Sequence, residues 1–464
     1  MCNIFPKILV YSLMPFCFAS FVFGAKLELH WLSSSVHVAW YSEDLWALTD
    51  GFPRERYPTA EDDVIIVPQK VNVNCTLKLM LPSDSITKSI SINSFSAEVE
   101  KAFAILGTGE INTFTILEDF KKATKTEIIE DKISGFNQSD LMIGPIDMSC
   151  YLNLNINGNV VITNNATDKT PNMVFGGATY FGKYSSKNLL ASFIVKKNFR
   201  IQNTIIYIGT ENGVNATING LITFEEPVSN RHATLIVNAD DGEEMFQFLQ
   251  TIKVGGLHST VDGAGIITTK TGSRGDSEIR NGHIEIMGSG GNFTGEIRDN
   301  FSNEDTRGRM NITMNTPNET QTLGGSNYYT GITYVQNGTL VFRPLNIPYN
   351  IEMSGGAFAF TERNIWIRNL KWSNGKFIFD LNKRQIINLE SKSEISISDI
   401  SKSFAFSGIR ERKSYPLFEF KEMQDSLKIF ANQKCDFIDS NTGITYEGIF
   451  SLSENALTIL FFKK

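Results

Sequence analysis

Between residues 225 and 244 the chain gathers Glu225-Glu226, Arg231-His232, Asp240-Asp241 and Glu243-Glu244. Carboxylates beside an arginine and an imidazole are the groups that cleave polysaccharides. One protonates the leaving oxygen, another activates water or attacks the sugar, and a cation steadies an acidic ring. In a stacked fold such chemistry needs two or three of these groups on adjacent coils. If the chain winds in turns of roughly 20 residues, the four pairs lie near one coil apart. Their spacing permits convergence but does not enforce it, and charged doublets in polar loops are ordinarily solvated. The expectation is a non-enzymatic protein with no catalytic residue, and a lyase or glycoside hydrolase is the alternative.

Other chemistry-bearing residues are weaker candidates. Asp62-Asp63 would point to opposite faces of a strand, so a turn or strand-edge role is expected rather than a paired site. His30, His37, His232, His258 and His283 lack metal-ligand spacing, and no Cys/His pattern suggests zinc. No metal and no cofactor is expected. Cys75, Cys150 and Cys435 are widely spaced and read as buried thiols, allowing one disulfide at most. Gly263-Ala264-Gly265 lacks the third glycine and the following helix of a dinucleotide loop. Trp31, Trp40 and Trp46 could form a sugar-stacking platform, but in a terminal segment they fit a cap better. Asn-x-Ser/Thr triplets, Asn215, Asn311 and Asn337 among them, are glycan acceptors only in a eukaryotic secretory path. A net charge of −7 without clustered Lys and Arg argues against nucleic acid as a partner.

The elements that must position these groups read as strands. The chain has 36 Gly and only 13 Pro, and is rich in Asn, Thr, Ser, Ile and Phe, which suits strands and tight turns. From about residue 64 to 385, short apolar runs alternate with Gly, Asn, Asp and Ser. Leu152, Leu154 and Ile156, separated by Asn, form one clean alternation. Stacked rungs of this kind bury a continuous aliphatic column, which no single rung could sustain alone. Two segments break the pattern: 117–132 is charge-rich, and 241–253 carries Met245, Phe246, Leu249 and Ile252 at helical spacing. Each is expected as a short helix inserted between rungs and packed on their surface, with a projecting recognition element as the alternative.

The clearest repeat spans residues 325–342, GSNYYTGITYVQNGTLVF. Thr333 and Val335 share one face of a short strand, as do Leu340 and Phe342 of a second, with Asn337-Gly338 between them. Alone, Asn-Gly between strands signals a hairpin. Yet the register of Gly325, Asn327, Tyr329, Thr330, Gly331, Thr333, Val335, Gly338, Thr339, Leu340 and Val341 resembles the autotransporter-associated β-strand repeat of bacterial passenger-type surface proteins. Gly263–Gly272 resembles the glycine-rich segment that commonly precedes the repeat in that family, and Gly291–Gly295 and, more weakly, Gly176–Tyr180 resemble Asn327–Gly331. The resemblance implies a right-handed parallel β-helix, or β-solenoid, in which Asn-Gly turns a corner between faces rather than a hairpin tip.

The expected organisation follows. Residues 1–24, apolar after Lys7, read as a signal peptide cleaved before Ala25. Residues 25–67 form an aromatic N-terminal cap, 68–385 the solenoid, and 386–464 a small C-terminal β cap, too short for a translocator barrel. Taken together, the expectation is an exported all-β adhesion or scaffold protein at a bacterial surface or outside the cell, with the periplasm as the other location. Its mature chain would have no transmembrane span, and its partners would be glycans or other surface proteins.

Overall fold

The computed structural model describes residues 26–29, 37–42, 46–48, 57–66, 77–92, 103–124, 141–146, 149–164, 179–182, 190–210, 215–225, 233–237, 248–269, 280–299, 308–345 and 347–464. Short strands of three to six residues recur on three faces, and each pairs in parallel with its counterpart one turn later. Two faces belong to a sheet of 26 strands, and the third is a separate sheet of ten. Tyr151–Ile156 pairs with Ile111–Ile116 on one side and Ser192–Val195 on the other, residue for residue. Val160–Asn164 does the same on the second face, between Phe120–Thr124 and Phe199–Gln202. The third face runs from His37–Ala39 to Asn327–Tyr328. At about 4.8 Å per parallel neighbour, its ten strands stack to roughly 45 Å. The architecture is a parallel β-solenoid.

Alternation within each strand sends one set of side chains into the bore. In Tyr151–Ile156 these are Leu152, Leu154 and Ile156, all fully buried. A single contiguous apolar cluster runs from Leu27 to Phe461, and each interior aliphatic residue contributes about 1.5–3 kcal/mol. The column is not aliphatic throughout. Toward the C-terminus it becomes aromatic: Phe342, Phe358 and Phe377 lie at 5.9 Å intervals, and Trp372 sits edge-on to Phe377 and Phe404.

From Ala216 onward the first two faces fuse into long strands bent at a corner. Ile332–Phe342 pairs in parallel with Met310–Leu323 and Pro348–Phe360 on both sides of Asn337-Gly338. The pair is therefore a corner and not a hairpin tip. Gly338 has φ +72°, and Gly356 and Gly375 repeat the left-handed backbone on the next two turns. Thr333, Val335, Leu340 and Phe342 are all buried. The repeat's polar positions have structural roles. Asn327 Nδ2 caps the carbonyls of Leu323, Gly325 and Arg343. Tyr329 Oη bonds Thr333 Oγ1 at 2.7 Å, and Thr330 donates to Asp299 of the preceding turn. A Cβ on Gly325 would meet the Gly295 carbonyl, so only glycine fits that crossing.

Both ends depart from simple stacking. Near the N-terminus Lys26–Leu29 pairs antiparallel with Trp46–Leu48 and parallel with Asp63–Ile66. Trp40 and Trp46 are buried edge-on, their ring centroids 5.2 Å apart. Trp31 and the expected signal segment lie outside the described residues. At the other end parallel pairing continues past residue 386, as Ile386–Leu389 pairs with Ser414–Phe420. The chain then reverses through Ala456–Lys463, Thr445–Leu452 and Lys434–Ile438, all antiparallel. The two expected helices are corrected where they are described. Phe120–Thr124 and Phe248–Ser259 are strands, because parallel neighbours on both sides outweigh local helical spacing. Residues 125–132 and 241–247 lie outside the described residues. Among the described residues no helix is long and apolar enough to cross a membrane.

Candidate functional site

Side chains that point out of the bore form columns up the walls, one residue per turn. Along one column Asp119 Oδ1 accepts from the backbone and side chain of Asn159, at 2.9 and 3.1 Å. Asn159 then accepts from the backbone of Asn198, and Asn198 from that of Leu221. Burial raises the Asp119 carboxyl, but these donors outweigh it and hold the group below the usual carboxylate range. Along another column Asn369 donates to Asn350 at 2.7 Å and Ser391 donates to Asn369. Charges alternate beside them: Lys253 neighbours Glu285, and Glu352, Lys371 and Glu394 follow one another on successive turns. Like charges stacked one rung apart would repel, whereas opposite ones attract. His283 lies in this wall, 2.7 Å from Thr313 Oγ1 and 3.3 Å from Thr251 Oγ1. Burial lowers its pKa, partly offset by Glu285.

The wall also contains buried polar groups with purely local partners. Asp299 accepts from Met310 N and from both Thr330 donors, yet its burial still raises its pKa. Tyr349 donates to Asn327 O at 2.9 Å and accepts from Leu345 N; burial pushes it up to about 12. Tyr329 shifts upward for the same reason. These groups hold corners together and do not face a cleft.

Of the acidic and basic pairs singled out in the sequence, Glu225 is described. It follows the strand Ala216–Phe224 and pairs with Arg200 of the previous turn. Glu226, Arg231, His232, Asp240, Asp241, Glu243 and Glu244 lie outside the described residues. Asp62 and Asp63 diverge as expected. Asp62 is buried and accepts from Thr59, while Asp63 turns outward to Lys88 and Ser89. Cys150 is buried, Cys435 is half-buried with its thiol pushed up by burial, and Cys75 lies outside the described residues. His30 and His232 lie outside them too, and no cluster of three metal-ligating side chains occurs among those described.

The outer surface also carries a groove beside an outward-facing tryptophan. A groove of about 360 Å³ opens between two successive turns, lined by Arg343, Pro344, Leu345, Glu362, Arg363, Asn364 and Trp366. Arg343 reaches across it to Glu362 at 3.6 Å. Trp366 alternates outward from the buried Ile365 and Ile367. Trp40, Trp46 and Trp372 each pack against another ring, whereas Trp366 has no ring partner among the described residues. No known protein family, characterised protein or solved structure matches the chain. The groove therefore rests on its own geometry. Sequence reading passed over it because its residues look unremarkable in linear order. Only the stacking of the turns, Phe342 on Phe360 and Pro348 on Trp366, brings them together.

Proposed function

We propose that this chain is an exported, non-enzymatic β-solenoid that serves as an adhesion or scaffold protein on a bacterial surface or outside the cell. The observation that carries the reading is the single apolar column from Leu27 to Phe461, clad in walls whose polar groups bond to one another turn by turn. Such a body is a stiff rod, and its wall offers a long surface to glycans or to other surface proteins. The resemblance of residues 325–342 to passenger-type repeats favours the same setting. Glu225 held by Arg200 is engaged with a neighbouring turn rather than poised as an acid or base.

The reading is tested by glycan-array and protein-surface binding, with glycan turnover followed in the same samples. Binding without chain cleavage is expected. Cleavage that disappears on substituting Glu225 or its acidic neighbours would replace the adhesion reading with the polysaccharide-cleaving one.

A further inference from the structure

Four successive turns stack where the second face returns to the first face of the next turn: residues 343–345, 361–364, 381–385 and 408–413. Their stacking is explicit. Arg343 pairs with Glu362, Lys383 Nζ donates to Thr361 O at 3.3 Å, and Ile386 N donates to Arg363 O at 2.8 Å. Leu381 N donates to Ser407 O at the fourth turn. Exposed cations recur at every level: Arg343, Arg363, Lys383 with Arg384, and Arg410 with Arg412. Arg363, Lys383, Arg384 and Arg410 make no ion pair with a described residue, in a chain whose net charge is −7. A dispersed set of basic residues has become one ridge through coiling alone.

The structure assigns this ridge, with the Trp366 groove beneath it, as a binding site for a linear acidic polysaccharide bearing a carboxylate on its sugars. The proposal rests on the surface reading above for the setting in which such a glycan is met. Three observations select this ligand class. Each of four successive turns, whose backbones lie about 4.8 Å apart, presents at least one exposed cation, so a chain laid along the stack meets positive charge at every turn. The groove volume of about 360 Å³ suits a sugar ring laid on the Trp366 face, since an indole presents a broad apolar surface. Glu362 and Asn364 stand among the cations and supply acceptors for sugar hydroxyls. A phosphodiester chain offers few donors to Glu362, whereas the hydroxyls of a sugar donate to it.

The test uses the whole chain and three probes: polygalacturonate, its methyl-esterified neutral counterpart, and a single-stranded oligonucleotide. Affinity is measured at low and at raised salt. Polygalacturonate should bind, the ester should not, and raised salt should weaken binding. The triple variant Arg363→Gln, Lys383→Gln, Arg384→Gln should lose roughly tenfold in affinity, because exposed pairs contribute only fractions of a kcal/mol each. Trp366→Ala should lose about tenfold while retaining the salt dependence. Melting of each variant with the wild type confirms the fold, and Arg363→Lys should retain binding. No binding of polygalacturonate, or binding undiminished in the triple variant, overturns the assignment. Tighter binding of the oligonucleotide through the same residues overturns it in favour of a polyphosphate. A separate arm counts attachment of protein-coated beads to glycan-bearing and protein-coated surfaces. Attachment that survives the triple variant removes the ridge assignment and leaves the surface reading intact.

Discussion

Replacing Gly338 with alanine separates a solenoid corner from a hairpin tip. Gly338 has φ +72°, a backbone region that costs a residue with a Cβ about 1–2 kcal/mol. In the corner a second cost is added. A Cβ built there would lie 2.2 Å from Thr316 O, 2.8 Å from Glu319 O and 2.9 Å from Met314 Cε. Two of these neighbours are backbone of the preceding turn's corner, fixed between the paired residues Asn315 and Thr320, so relief requires shifting that corner. Overpacking of this kind costs about 1–3 kcal/mol. The sum is roughly 2–5 kcal/mol. Gly443 supplies the control: its φ is +70°, yet a Cβ there meets nothing within 4 Å. Gly443→Ala should cost only the backbone term, about 1–2 kcal/mol. Urea unfolding followed by tryptophan fluorescence and circular dichroism gives both values. An open hairpin tip would give the two substitutions the same cost. Equal destabilisation by Gly338→Ala and Gly443→Ala would refute the stacked corner.

Further outcomes follow from individual contacts. Trp46 is buried edge-on to Trp40 and its Nε1 donates to Trp40 O at 2.9 Å, so Trp46→Ala should destabilise by about 3–5 kcal/mol in the same assay. Tyr329→Phe removes the partner of the buried Thr333 hydroxyl and should cost about 1–3 kcal/mol. A double-mutant cycle with Thr333→Val should recover part of that loss. His283 has a depressed pKa through burial, so between that value and the ordinary imidazole value of 6.5 the unfolded chain binds more protons than the folded one. Stability should therefore fall as pH drops through that window. Unfolding midpoints at pH 5 and pH 7.5 should differ more for the wild type than for His283→Gln.

Much of the fold was legible because parallel coils impose a local rule. Alternation such as Leu152, Leu154, Ile156 fixes which side chains enter the bore, and Gly338 marks a corner that each neighbouring turn repeats. The divergence of Asp62 and Asp63 was equally local. What local pattern could not convey was partnership between turns. Leu249 and Ile252 sit at helical spacing, but pairing with Ala216–Phe224 and Arg280–Ile286 makes their segment a strand. The aromatic bore near Trp372 was hidden for the same reason, since Phe377, Phe404 and Phe418 meet only through coiling. The cation ridge is the strongest instance. Arg343, Arg363 and Lys383 are isolated in sequence and reach one side of the molecule because their turns stack, Phe342 on Phe360 and Asn364 on Ile386.

Disulfide trapping tests the parallel register at its most distinctive point. Tyr334 and Glu352 are direct neighbours on adjacent turns, both facing outward, at a separation a disulfide can bridge. A two-residue hairpin at Asn337-Gly338 would instead place Tyr334 opposite Val341. Under mild oxidation, with peptide mapping by mass spectrometry, Tyr334→Cys with Glu352→Cys should form a bond, and Tyr334→Cys with Val341→Cys should not. The reverse pattern would contradict the solenoid.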